Sequence, residues 1–155
     1  MLATLIPRVA MLTAGSVIGI SFVAQPLKFR ADDVPLAHLV SAGSAIFHGS
    51  HVLQWVVLSA LVVLALLHPA ATRGALGWLI AALGSLLLQI ALMPAFDRRV
   101  EALAAGHPAG PAAGLHLAYV ALELVKLAAL LRLGGLDLGI RNGTRADRPA
   151  CHPMN

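Results

Sequence analysis

The sequence predicts an all-α fold, a four-helix transmembrane bundle. Three observations lead there. The chain of 155 residues is 59% hydrophobic and 12% charged, against roughly 25% charged in a soluble domain. Its mean hydropathy is +0.83. Its apolar residues gather in four runs, each near the ~20 residues that cross a bilayer as a helix. One bundle takes up residues 1–133 and leaves no room for a second domain.

The first span is expected over residues 9–24, closed by Pro26. Arg8 before an apolar run also suits a secretory signal. Phe22-Val23-Ala24-Gln25 is a poor cleavage site, so the segment reads as a retained helix. The second span lies within residues 38–67, too long for one crossing, with its apolar core starting near Ile46. The third covers residues 75–93 and is expected to close at Pro94, which lacks the N–H a helix interior needs. The fourth covers residues 112–131. Residues 134–155 are rich in Gly, Arg and Pro and read as a disordered tail.

Lys and Arg counts set the orientation. Arg8, Arg73, Arg132, Arg141, Arg145 and Arg148 fall on one side, and Lys28, Arg30, Arg98 and Arg99 on the other. Six against four places both termini in the cytoplasm. Richness in Ala, Leu, Gly and Arg is that of a GC-rich bacterial genome, so the bacterial inner membrane is the expected location. The basic residues are scattered over loops and tail, which excludes a nucleic-acid surface. A single cysteine, Cys151, excludes an intrachain disulfide.

Polar residues inside the spans carry the functional signal, because a charge at membrane depth is expensive and marks a site. His116, Tyr119, Glu123 and Lys126 follow one another at three- and four-residue steps, one stripe of a helix. Glu123 and Lys126 are spaced to pair. Ser41, Ser44, His48, His51, Trp55 and Ser59 form a similar stripe on the second span. A polar seam between spans two and four is expected, walled by His48, His51, His116, Tyr119, Glu123 and Lys126. Gly15 and Gly19 form a GxxxG pair for close helix contact, and Gly77, Ala81, Gly84 and Ser85 a second small face.

A shift of 68 residues superposes Pro26 on Pro94, Arg30 on Arg98 and His48 on His116. Each half is then a helix, a Pro, a basic loop and a helix bearing a His, which describes two parallel helical-hairpin repeats.

The motifs Gly19 to Phe29 (GISFVAQPLKF), Ala42 to Phe47 (AGSAIF), Gln89 to Pro94 (QIALMP) and Leu115-His116 resemble the bacterial relatives of transmembrane protein 205. That is a four-helix membrane family without an established biochemical activity. The resemblance implies the fold and topology from Gly15 to Leu131 and supplies no reaction. Where the family follows its last His with small or hydroxyl residues, this chain has Leu117, Ala118, Tyr119 and Glu123.

Three functional readings stand open. The first is a non-catalytic accessory or interaction subunit, docking on a larger membrane complex or on copies of itself. The second is a haem or copper protein, with His48, His51 and His116 as imidazole ligands and Met93 as a soft donor. The third is a small transporter or proton relay along Glu123 and Lys126. Cys151, His152 and Met154 read as incidental residues of the tail. Asp32, Asp33, Asp97 and Glu101 read as solvated loop residues. No phosphate-binding Gly loop, GxSxG or HExxH motif is present, so no enzyme class is indicated.

Overall fold

The computed structural model describes residues 2–70, 72, 74–108 and 113–146, with side chains described between 4 and 135. Among these the fold is all helix, and four stretches are long and apolar enough to cross a membrane: Thr4–Lys28, Leu36–Leu67, Ala75–Ala104 and Ala113–Gly135.

The first stretch is one continuous rod in three parts. Helix α1 (Leu2–Val17) passes into a π-helical segment, Ile18–Ala24, and then into the short α2 (Gln25–Lys28). Pro26 therefore does not close the helix. The wider π turn hands the Gln25 N–H to the Ile20 carbonyl, and Pro26, which has no N–H to place, falls in the first turn of α2, where prolines are tolerated.

Helix α3 (Leu36–Leu67) has 32 residues, about 48 Å at 1.5 Å per residue. That exceeds a hydrocarbon core of ~30 Å, so the helix tilts or part of its length stands clear of the core. Thr72 closes the other end: its hydroxyl donates to the Ala65 and His68 carbonyls, which α3 itself leaves without partners. Gly74, at φ 82°, makes the turn into α4 (Ala75–Ala104).

Helix α4 runs through Pro94 instead of ending there. A membrane helix tolerates an internal Pro because neighbours and side chains re-satisfy the freed backbone groups. The extension turns Asp97, Arg98 and Arg99 from expected loop residues into helical ones. Helix α5 (Ala113–Ala146) continues past Gly134 into the stretch expected as tail. Residues 147–155, with Cys151, His152 and Met154, lie outside the described residues.

Packing order follows from neighbours: α5 lies between α1 and α4, and α4 lies between α3 and α5. The apolar core joins Ile6, Ala10 and Ala14 of α1 to Leu58 and Leu61 of α3, Leu79 and Leu86 of α4, and Leu130 and Leu133 of α5. Many large apolar side chains face outward, among them Leu12, Val52, Leu67, Leu88 and Leu117. Such a surface suits lipid rather than water. At the end where α4 starts, the Arg132 guanidinium lies 5.7 Å from the Trp78 ring centre.

Two sequence expectations change here. Two of the three residue pairs of the proposed repeat occupy unlike places: Pro26 follows a π segment while Pro94 sits inside an α-helix, and Arg30 lies in a turn while Arg98 is helical; His48 and His116 are both helical and exposed. The GxxxG pair does not line a contact within the bundle. A Cβ at Gly15 or Gly19 would meet nothing within 4 Å, and the same holds at Gly77 and Gly84. Close approach occurs instead at Gly134, where a Cβ would collide with the Met11 side chain, and at Gly43, where it would collide with the Lys28 ammonium. Helix rotation decides which small face is inward, and sequence periodicity does not specify that angle.

This contrast is testable by melting in detergent. Gly134→Leu overpacks the α1–α5 contact and is expected to destabilise by about 1–3 kcal/mol. Gly15→Leu is expected to leave the monomer as stable as the parent or slightly more so, since Leu is the better helix former.

Candidate functional site: a buried ionic network

Glu123 and Lys126 are 2% and 0% exposed, although an isolated charge at a helix centre costs about 2.5–3.5 kcal/mol on insertion scales. Helical geometry supplies the first compensation. Three residues apart on α5, the Lys126 ammonium and Glu123 Oε2 meet at 2.9 Å. The second compensation comes from two other helices. The Ser21 hydroxyl, on the π segment, donates to Glu123 Oε1 at 2.6 Å. Gln89 of α4 touches both charges: its amide nitrogen donates to Glu123 Oε2, and its carbonyl accepts from Lys126 Nζ at 2.7 Å. Gln89 is itself fully buried. Carboxylate, ammonium and amide thus satisfy one another, the condition for keeping a buried pair.

The π segment explains how Ser21 reaches this network. Its i→i−5 bonding resets the rotation of the first span part-way along. Ser21 then faces α5, and one turn later the Gln25 amide, also buried, donates to the Gly43 carbonyl of α3 at 3.3 Å. Single π turns inside α-helices are frequently found at functional sites.

A second polar group lies one turn away on α5. Tyr119 is held edge-on by Phe47 of α3, at 5.3 Å between ring centres, and by Phe96 of α4, at 5.5 Å. Its hydroxyl is hydrogen-bonded to His51 Nε2 at 2.8 Å. His51 Nδ1 and Gln54 Oε1 are buried and have no hydrogen-bond partner among the described residues.

The six residues of the expected seam divide. His51, Tyr119, Glu123 and Lys126 are buried together, but three helices build the ionic part and α3 touches the cluster through the Phe47 and His51 rings. His48 and His116 do not face each other. His48 points to α4, where Nε2 lies 3.1 Å from both Asp97 carboxylate oxygens, and the Ser44 hydroxyl donates to the same carboxylate at 2.9 Å. His116 is exposed and lines a different cavity, with Lys28, Ser44 and Tyr119. Met93 is buried at the α3–α4 junction. Of the four expected metal ligands, His48, His51 and Met93 border one groove between α3 and α4, with His48 held by Asp97 and His51 by Tyr119, while His116 lies apart from the other two histidines. Among the described residues no three His, Cys, Asp or Glu side chains are grouped to hold a metal ion.

Sequence reading missed three contributors. Ser21 gave no signal, because its role depends on the π register. Gln89 was visible as an amide in an apolar run, a polar group needing a partner at membrane depth, but not as the bridge between the charges. Asp97 was read as a loop residue because Pro94 was read as a helix stop.

Fold and site together define a multi-pass membrane protein with an internally neutralised ionic network. No protein-family model matches the chain, and no curated protein or solved structure does so either.

A double-mutant cycle tests the network. Glu123→Gln alone strands the ammonium and Lys126→Met alone strands the carboxylate, so each is expected to cost about 3–5 kcal/mol in a detergent unfolding assay. The combined change is expected to cost clearly less than the sum. Additive losses would mean that the two residues do not share an environment.

Proposed function

We propose that the protein is a non-catalytic accessory subunit of the bacterial inner membrane. It docks through the outer face of its first span on another membrane helix, either of a larger complex or of a second copy. One observation carries the reading: the small notch of Gly15 and Gly19 faces outward with open space above it. Small residues let helix backbones approach closely, the main source of helix association in lipid. Inside the bundle the notch has no counterpart, so its small size serves nothing there.

The state of the buried charges agrees. Glu123 already accepts from Ser21, Gln89 and Lys126, which leaves little for a transported ion to bind. His48 is held by Asp97, His51 by Tyr119, and His116 lines another cavity, an arrangement that gives no support to a shared three-histidine site. Both termini in the cytoplasm is the orientation that the six-to-four charge count favours.

The test places a photo-crosslinking residue at Leu12, which lies on the notch face one turn before Gly15 and is 76% exposed. In cells a discrete protein adduct is expected, at twice the chain mass for self-association and at another fixed mass for a heterologous partner. The adduct is expected to disappear in Gly15→Leu/Gly19→Leu. An adduct unchanged by that double substitution, or labelling of lipid alone, would contradict the proposal.

A further inference from the structure

A cavity of about 120 Å³ lies at the end of the bundle where α2 finishes and α5 begins, and all four spans contribute to its wall. Most of that wall is apolar: the rings of Phe47, Phe96 and Tyr119, with Met93 beside them. Phe47 and Phe96 meet Tyr119 edge-on. The volume is on the order of the ~150 Å³ that admits one benzene ring in an apolar cavity. Aromatic edges and a thioether sulfur both favour a flat ring as guest.

The charge on this wall is Lys28. Its ammonium rests on Gly43, in the space a Cβ there would take, and Gly43 itself lines the cavity. The ammonium donates to the Gln25 side-chain carbonyl, and its other neighbour is the Phe29 ring, 4.9 Å away at the centre. An ammonium carries three donors, so two are left after Gln25. No carboxylate among the described residues pairs with it. Holding α2 to α3 does not require this charge, because the Gln25 amide already donates to the Gly43 carbonyl. Lys28 is also partly exposed, so an incoming anion can reach it. The Asp97 carboxylate is not part of the wall and is taken up by Ser44 and His48.

We propose that the cavity binds a small aromatic monocarboxylate, its carboxylate accepting from Lys28 and its ring seated among Phe47, Phe96 and Tyr119. One anionic head matches one unneutralised ammonium, and one ring matches the volume. A diacyl lipid brings two chains to a space that holds neither. His116, exposed and without a hydrogen-bond partner among the described residues, gives the cavity a further donor. This binding does not depend on docking through Gly15 and Gly19.

The experiment titrates 4-fluorobenzoate against purified full-length protein in a nonionic detergent, read by the ligand's ¹⁹F NMR signal, with protein-free micelles as the blank. Saturable binding above the blank is expected. 4-Fluorobenzamide keeps the ring and lacks the charge, and is expected to bind about tenfold more weakly to the same unaltered protein, the worth of one charged hydrogen bond. Lys28→Met is expected to weaken 4-fluorobenzoate binding by about the same factor. Val100→Phe, on the cavity wall, fills the space, leaves the ammonium in place and is expected to weaken it at least as much. Partitioning no greater than in the blank overturns the proposal. So does equal affinity for the benzamide, or unchanged affinity in either variant. Displacement by decanoate at lower concentration than by unlabelled benzoate also overturns it, since the occupant would then be an acyl chain.

Discussion

Placing a carboxylate and an ammonium inside a membrane constrains this bundle more than any other feature. Either charge alone is costly there, and the pair is acceptable only when its remaining hydrogen-bonding atoms are also met. Glu123 and Lys126 meet each other on one helix, but a carboxylate has more lone pairs than one ammonium fills. Ser21 and Gln89 supply the rest. The network therefore dictates which helices flank α5 and at what rotation. The α1–α5 and α4–α5 contacts are its direct consequence, and the α3–α4 contact completes the bundle outside it.

That requirement also gives the π segment a purpose. An unbroken α-helix would carry one rotation from Leu2 to Lys28. Both halves of the first span have inward duties, since Ile6, Ala10 and Ala14 enter the apolar core while Ser21 and Gln25 reach polar partners farther along. The i→i−5 turns adjust the phase between those two sets. Gly15 lies outward because Ile6, Ala10 and Ala14 take the inward face before the π segment, and Gly19, within that segment, is exposed as well.

Much of the fold was legible from residue type and run length: four spans, their approximate centres, and the pairing distance of Glu123 and Lys126. Features set by rotation about a helix axis were not. GxxxG reads the same whether it faces a neighbour or lipid, and His48 and His116 share a depth without sharing a side of the bundle. Pro94 misled for a different reason. In water it would end a helix, but in a membrane bundle the helix continues, and its next turn brings Asp97 beside His48. The unsatisfied Nδ1 of His51 could not be read from sequence at all, because it depends on which ring nitrogen Tyr119 engages.

The pairing of the two buried charges in a bilayer can be measured as a distance. Solid-state NMR dipolar recoupling, on protein reconstituted in liposomes with ¹⁵N-lysine and ¹³C-glutamate labels, reads the separation between Lys126 Nζ and Glu123 Cδ. The chain has one other lysine, Lys28, and Lys126→Met identifies the signal. A direct ion pair predicts strong dephasing, corresponding to a separation of about 4 Å or less, lost in that variant. A Lys126 signal that shows no recoupling to any glutamate carboxyl would mean that the charges stand apart in the membrane and that the bundle is not organised around them.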